Sequence, residues 1–469
     1  MGAKRVLGVD PSVRRAGLVV LELRRGARPR WLHGEELRQG SGGWTVLRFW
    51  ESDIMSNLDR CVRTALKAIE EGTEPSPRAA LPAKTFAEFF AGIGLMRIGL
   101  EAAGWSVCFA NDIDVRKYEM YARHFGSCED HYVIGDVHSL RAEQVPSHTL
   151  ATASFPCNDL SLAGARNGLA GKQSSAYWGF VRVLNEMGGR RPPMVLLENV
   201  TGFLTSHGGR DFEQALRALN ALGYRVDAFQ LDAVNFVPQS RKRLFVVGVL
   251  SELLGPESGY YSLEVEADEV RPPALKRFIA DHPEIAWHIR PLPAPPRSTR
   301  RLEDLLEDLP EDADEWWSAQ RTNYLLNQMS ERHRAQVEQM MRGPKWSYGT
   351  VFRRMRHGKS TAELRIDGTA GCLRTPRGGS ARQILLRAGG GLCSVRFITA
   401  REAARLMGAD TYTIDVPLNQ ALFGFGDAVC VPVISWIADV YLNPLVNELI
   451  RGHPLTLRSA GRGRADPVA

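Results

Sequence analysis

The chain has 469 residues, 44% hydrophobic and 24% charged, with a net charge of +6. That length holds two or three folded domains, and the composition excludes a disordered or fibrous chain. No run of about 18 apolar residues and no signal-peptide core occur, so a cytoplasmic protein without a membrane span is expected. In chain order, about 1–78 forms a first segment that ends in the Pro- and Ala-containing linker "EPSPRAALPAK". From 84 to 250, short apolar runs alternate with helix-like stretches. The runs are "TFAEFF", "SVCFANDID", "YVIGDV", "TLATASFPC", "MVLLENV" and "RLFVVGVL". Such alternation predicts an α/β domain with a mostly parallel sheet, whose ligands sit at the carboxyl ends of the strands. From 251 to 395, Pro, Arg and Trp become frequent and the alternation fades, which reads as an inserted module. Helical periodicity returns over 396–450, and 451–469 is a flexible basic tail.

The seven cysteines, Cys61, Cys108, Cys128, Cys157, Cys372, Cys393 and Cys430, form no CxxC pair. A disulfide framework is not expected, nor is a metal site. The mild positive charge suits a polyanionic partner without demonstrating one.

"FFAGIG" sets Gly92 and Gly94 between a strand and a helix, where a ligand could approach the backbone closely. Alone, such a turn also serves tight packing. The next run ends in Asp112, suited to accept from ribose hydroxyls, beside Ile113, suited to pack on an adenine face. The third ends in Asp136, able to accept from an exocyclic amine. The fourth delivers Cys157 after a proline. An isolated cysteine is usually a buried small apolar residue. Here "MVLLENV" closes a strand with Glu198 and Asn199, and "VPQSRKRLFVVG" sets Arg241 and Arg243 two apart on extended backbone, facing the same way. A thiol, a carboxylate and two guanidinium groups then converge near a nucleotide-like cofactor.

These motifs, with "TAREAARLMG" and "GFGDAVCVP" after them, resemble in content and order the cytosine-specific DNA C5-methyltransferases over about 84–450. The resemblance implies a Rossmann-like, S-adenosylmethionine-dependent methyltransferase domain, discontinuous over 84–250 and 396–450, with the last motif folded back beside the first. The inserted 251–395 becomes a smaller target-recognition domain. Cofactor contacts are implied for Phe90, Gly92, Gly94, Asp112, Ile113, Asp136 and Asp427, and catalytic roles for Cys157, Glu198, Arg241 and Arg243. Cys157 would attack C6 of a flipped-out cytosine, Glu198 would serve N3 and the 4-amino group, and Arg243 would meet O2. Arg241 would steady the catalytic loop or a phosphate. Three positions depart from the usual pattern: Leu95 for glycine, Asn158 for Gln and Asp427 for Asn. Asp427 adds negative charge near the cofactor and is expected to weaken its binding.

The partner implied is double-stranded DNA, bound by a nucleoid-associated monomer. A bacterial restriction–modification or phage-defence setting follows, with a partner nuclease left open. A tRNA cytosine methyltransferase and a catalytically inactive DNA-binding relative are the alternatives, and the intact Cys157, Glu198, Arg241 and Arg243 argue against the second. For residues 1–78, "RVLGVDPSVRRAGLVVLEL" resembles the opening hairpin of RNase H-like nucleases. "GWTVLRFWESDIMSNLDRCV" resembles the tail of very-short-patch repair endonucleases. Asp10, Glu51 and Asp53 assemble no convincing metal site, so a structural appendage is expected.

Overall fold

The structure, a computed structural model, describes residues 4–10, 17–23, 30–32, 84–156, 176–254, 270–356, 358–375 and 382–452. The chain divides into two units, Met1–Ala80 and Leu81–Ala469. In the first, β1 (Lys4–Asp10), β2 (Gly17–Leu23) and β3 (Arg30–Leu32) pair antiparallel in that order. Asp10 stands opposite Gly17 across the hairpin. The stretch "GWTVLRFWESDIMSNLDRCV" lies outside the described residues.

The second unit is built on a seven-stranded sheet in the order β6-β5-β4-β7-β8-β10-β9. Its strands are β4 (Thr85–Phe89), β5 (Ser106–Asp112), β6 (Tyr132–Ile134), β7 (Leu150–Ala153), β8 (Met194–Val200), β9 (Tyr224–Asp232) and β10 (Lys242–Leu250). Every neighbouring pair is parallel except those of β10, which runs against both β8 and β9. Parallel strands covered on both faces need apolar residues in succession rather than alternation. Thus Leu196 enters one core while Val195 and Leu197 enter the other. Helices α1 (Leu95–Ala102) and α2 (Val115–Phe125) follow β4 and β5, while α3 (Ala176–Glu186) and α4 (Arg210–Ala221) flank β8 in sequence. Asp114 caps α2 by accepting from the Arg116 and Lys117 N–H groups. The chain leaves β4 toward β5 on one side and reaches β7 on the other. The crevice at the carboxyl ends of β4 and β7 is therefore the natural ligand position.

Residues 270–306 pack on this first sheet, although they fall within the stretch expected as an inserted module. In α5 (Pro273–Asp281), Leu275 and Phe278 join Phe212 and Leu219, while Leu302 and Leu305 join the other core. A fully buried ion pair, Arg271 to Asp227 at 2.7 Å, fixes the start of the segment. Breaking such a pair from one side costs about 3–5 kcal/mol.

A separate core forms further on. Helices α6 (Ala319–Leu326) and α7 (Glu331–Arg342) pack on an antiparallel sheet ordered β12-β11-β13-β14. Its strands are β11 (Ser347–Arg356), β12 (Lys359–Arg365), β13 (Ile384–Gly389) and β14 (Leu392–Phe397). Leu325, Val337, Val351, Ile384 and Val395 fill the space between.

The chain then returns through α8 (Ala400–Leu406), α9 (Leu418–Asp427), α10 (Val431–Ile437), a π-helical turn at Ala438–Leu442 and α11 (Asn443–Gly452). Of these, α10 packs beside α1, while α9 packs on α2 and α8. A Cβ on Gly99 would lie 2.6 Å from the Ile434 Cβ, so only glycine permits the approach. Ser435 Oγ donates to the Gly99 carbonyl at 3.1 Å. The helical stretch Leu418–Leu449 is long and apolar enough, by length and composition only, to cross a membrane, and 61% of its apolar window is buried inside the fold. Its apolarity reflects a core position.

Candidate active site

A cavity of about 780 Å³ opens at the carboxyl ends of the parallel strands. That lies within the range of small-molecule sites, about 300–1,000 Å³. Phe90, Gly92, Asp112, Ile113, Asp136, Glu198, Arg241, Arg243 and Asp427 all line it. Gly94 lies beside it, in the turn.

The turn after β4 is left-handed three times, at Phe90 (φ 58°), Gly92 (φ 57°) and Gly94 (φ 79°). The glycines serve different needs. Gly92 needs only the backbone freedom, because the nearest atom to an added Cβ is 3.9 Å away. Gly94 also needs the space, because a Cβ would fall 2.4 Å from the Phe125 ring. Asp112 staples this turn to β5. Its Oδ2 accepts from the Gly92 N–H at 2.8 Å and its Oδ1 from the Asp114 N–H at 2.9 Å. Burial pushes the Asp112 carboxyl above its usual range, against the pull of Lys117 and these two N–H donors. Ile113 beside it is 66% exposed, an apolar face turned to the opening. Asp136 accepts from the His138 N–H at 2.9 Å and is otherwise exposed.

Asp427 does not stand alone. Lys117 Nζ, from α2, lies 2.8 Å from its Oδ2 and joins helices 310 residues apart in sequence. Burial works against the Lys117 ammonium, but Asp427 and Asp112 outweigh it and hold its pKa above the usual value. The extra negative charge foreseen from the sequence is thus matched by a cation within the same cavity wall.

At the other end, Arg243 Nε lies 2.9 Å from Glu198 Oε1, and both side chains are largely buried. Asn199, next in the strand, donates through Nδ2 to the Phe155 carbonyl at 3.2 Å. It thereby holds the segment that leads to Pro156, itself part of the cavity wall. Cys157 lies outside the described residues, as does the loop to 175. Arg241 faces the same cavity as Arg243 but spends its donors inward. Its Nη1 donates to the Leu373 carbonyl at 2.9 Å and its Nη2 to the Gly426 and Ala428 carbonyls at 3.3 and 2.5 Å. No phosphate-facing donor is needed to account for this fully buried guanidinium. Gln239 makes a parallel tie, accepting from the Leu373 N–H at 3.0 Å and donating to the Leu406 carbonyl at 2.7 Å.

Sequence reasoning missed three members of the site. Lys117 carries no signal outside its helix. Cys372 lies 3.4 Å from Arg241 Nη1, and although burial raises its thiol pKa, Arg241, Arg243 and Arg374 together bring it below the usual value. Glu88, in β4, is fully buried beneath the glycine turn, with Oε2 unpaired. Burial pushes its carboxyl up to about 8, while Arg97 pulls the other way.

The family description "C-5 cytosine-specific DNA methylase" fits residues 84–443. The Type II methyltransferase M.DsaV of Dactylococcopsis salina is 28% identical over 362 residues, which is 76% of this chain and 86% of that protein. The Type II methyltransferase M.HhaI of Haemophilus parahaemolyticus is 26% identical over 360 residues, 75% of this chain and 92% of its own. Among solved structures, the S. pombe Dnmt2 methyltransferase superposes with a TM-score of 0.50 at 19% identity, covering 77% of this chain and 98% of its own. At that identity the likeness concerns the fold.

Proposed function

The chain belongs to the C-5 cytosine-specific DNA methylase family, and from that premise we propose that it moves a methyl group from S-adenosylmethionine to C5 of a cytosine flipped out of duplex DNA. One observation carries this reading. A glycine turn with strand-end acids and a buried carboxylate–arginine pair face each other across one cavity.

The first end fits S-adenosylmethionine, which when bound supplies an electrophilic methyl on a sulfonium. Gly92 leaves open space for backbone approach. Asp112 already accepts two N–H groups, yet an ionised carboxylate has further lone pairs for ribose hydroxyls. Ile113 offers an exposed apolar face to an adenine, Asp136 an exposed acceptor to its amine, and Phe90 further ring contact. Lys117 keeps Asp427 neutralised in the same wall.

The second end fits cytosine. The Cys157 thiolate attacks C6, an S–C bond forms, and the ring's electron pair moves to C5. Negative charge develops toward N3 and O2. Glu198 holds a proton at N3 and accepts from the 4-amino group. Arg243 orients Glu198 and faces O2. Arg241 acts as a positioning residue by joining the chain at 373, 426 and 428. The electron pair at C5 would take the methyl, leaving a neutral thioether on the donor, and loss of the C5 proton to solvent would then restore the C5–C6 double bond and expel the thiolate. Flipping the base costs a few kcal/mol, recovered through contacts with the recognition module. That the relatives are named Type II methyltransferases supports a setting beside a restriction nuclease. A monomer in the cytoplasm suffices for this chemistry.

The test is a transfer assay with methyl-labelled S-adenosylmethionine and duplex DNA, followed by digestion to nucleosides. Label in 5-methylcytosine is expected. Label in another nucleoside, or in none, contradicts the proposal.

A further inference from the structure

The cavity lies across the carboxyl ends of five adjacent strands, β6, β5, β4, β7 and β8. Each contributes a polar side chain to the wall. They are Asp136 just after β6, Asp112 at the end of β5, Glu88 in β4, Ser154 just after β7 and Glu198 in β8. Register puts the last three on one face of the sheet. Glu88 pairs with Thr152, and Ser154 lies two residues beyond that threonine. Thr152 pairs in turn with Leu196, and Glu198 lies two residues beyond it. On that same face Phe86, Leu150 and Leu196 enter the core.

Three of the five have a use already. Asp136 and Asp112 stand at the end that fits adenine and ribose, and Glu198 is joined to Arg243. Glu88 and Ser154, between them, have none. Glu88 Oε2 and Ser154 Oγ are both buried and without a hydrogen-bond partner among the described residues. Arg97, which acts on Glu88, spends its guanidinium on Glu101 Oε1 at 2.8 Å and Tyr121 Oη at 3.1 Å. Lys117 is held by Asp427 at 2.8 Å. Buried polar atoms without partners are costly, and two in one cavity wall call for a ligand that completes them.

The order of the strands says which part of a ligand that is. A cofactor with its adenine beside Ile113 and its methyl directed at the Glu198 end must lay its amino-acid arm over β4 and β7. That arm carries an α-ammonium. We propose that the Glu88 carboxylate and the Ser154 hydroxyl together bind the α-ammonium of S-adenosylmethionine. The proposal rests on the methyl-transfer reading. Glu88 supplies the counter-charge, and Ser154 supplies a lone pair from the neighbouring strand. Burial pushes the free Glu88 carboxyl up to about 8, and an ammonium against it favours the ionised form. Anchored at both strands, the arm aims the sulfonium methyl toward the base.

The experiment is calorimetry without DNA, on the full chain and on its Glu88→Gln and Ser154→Ala variants. The ligands are S-adenosylhomocysteine, which carries the same arm, and its analogue with a hydroxyl in place of the α-amino group. The wild type is expected to prefer the amine by about tenfold. Glu88→Gln should lose nearly all of that preference, and Ser154→Ala about threefold of it. A purely structural role would weaken both ligands alike and leave the preference intact. Ser154→Ala removes a single oxygen, so its preference decides the matter even where Glu88→Gln folds poorly. Variants that keep the wild-type preference, or a wild type that binds the two ligands equally, would overturn the ammonium site. A wild type that binds neither ligand would instead overturn the methyl-transfer reading, and the site with it.

Discussion

The two ends of the cavity are held by different means. The end assigned to the cofactor is built from backbone. A left-handed turn at 90–94 is stapled by Asp112, and Gly92, Asp112, Ile113 and Asp136 stand where their strands close, with Lys117–Asp427 the one long-range tie named there. The end assigned to the base is built from long-range side-chain ties. Arg243 grips Glu198 across two strands, and Arg241 and Gln239 reach residues 130 to 190 positions away. A turn geometry is specified locally and tolerates change at a distance. A side-chain tie depends on several segments arriving together. The base end should therefore fail through its fold as well as its chemistry, and the cofactor end mainly through affinity, with smaller effects on stability.

The largest expected effect is Cys157→Ser. Methyl transfer should disappear while the melting temperature and cofactor affinity stay near wild type, because serine lacks a thiolate at neutral pH. Retained turnover would remove the nucleophile from the mechanism. Arg241→Met comes next. It strands the carbonyls of residues 373, 426 and 428, each costing about 1–3 kcal/mol when buried without a donor. Urea unfolding should show a loss on the order of 3 kcal/mol together with a loss of transfer. A stable but inactive variant would instead give Arg241 a chemical role.

At the cofactor end the effects are smaller. Glu88 has its folded pKa raised from 4.5 to about 8. Its contribution to stability is present below about pH 4.5 and is lost as the pH rises through 8. The wild-type melting temperature should fall by a few degrees relative to Glu88→Gln between pH 5 and 9. Parallel curves would mean that Glu88 does not titrate in this window. Smallest is the Lys117–Asp427 pair, which is partly exposed. Lys117→Met should weaken S-adenosylmethionine binding about fivefold, near 1 kcal/mol. Adding Asp427→Asn should restore it, and calorimetry on the double-mutant cycle decides. Additive losses would show that the two groups do not compensate each other.

The sequence made the cofactor end legible because its residues sit at strand ends in chain order, where apolar runs stop. The fold-back of the last motif was an implication of the family resemblance rather than of any periodicity; in the structure Gly99 of α1 meets Ile434. Other features were hidden for physical reasons. Glu88 stands in the run "TFAEFF", where a polar residue reads as a surface position. A central parallel strand is covered on both faces, so the carboxyl is buried instead. Asp427 was singled out from the sequence, but its partner Lys117 is an unremarkable helix residue until the two helices meet. Residues 270–306 share the Pro- and Arg-rich character of the inserted segment, yet Arg271 and Leu275 pack into the first sheet. Composition did not distinguish a strap laid over one core from the start of another. Arg241 and Arg243 both line the cavity, but extended spacing says nothing about which of them turns inward.

The central claim is that this chain methylates C5 of cytosine in DNA through Cys157. Bisulfite sequencing of genomic DNA tests it most directly, using cells that lack other cytosine methylation and express either the full chain or Cys157→Ser. The account expects protected cytosines at one recurring short sequence with the wild-type chain and none with the variant. An unprotected genome with the wild type, or the same protection with the variant, would contradict it.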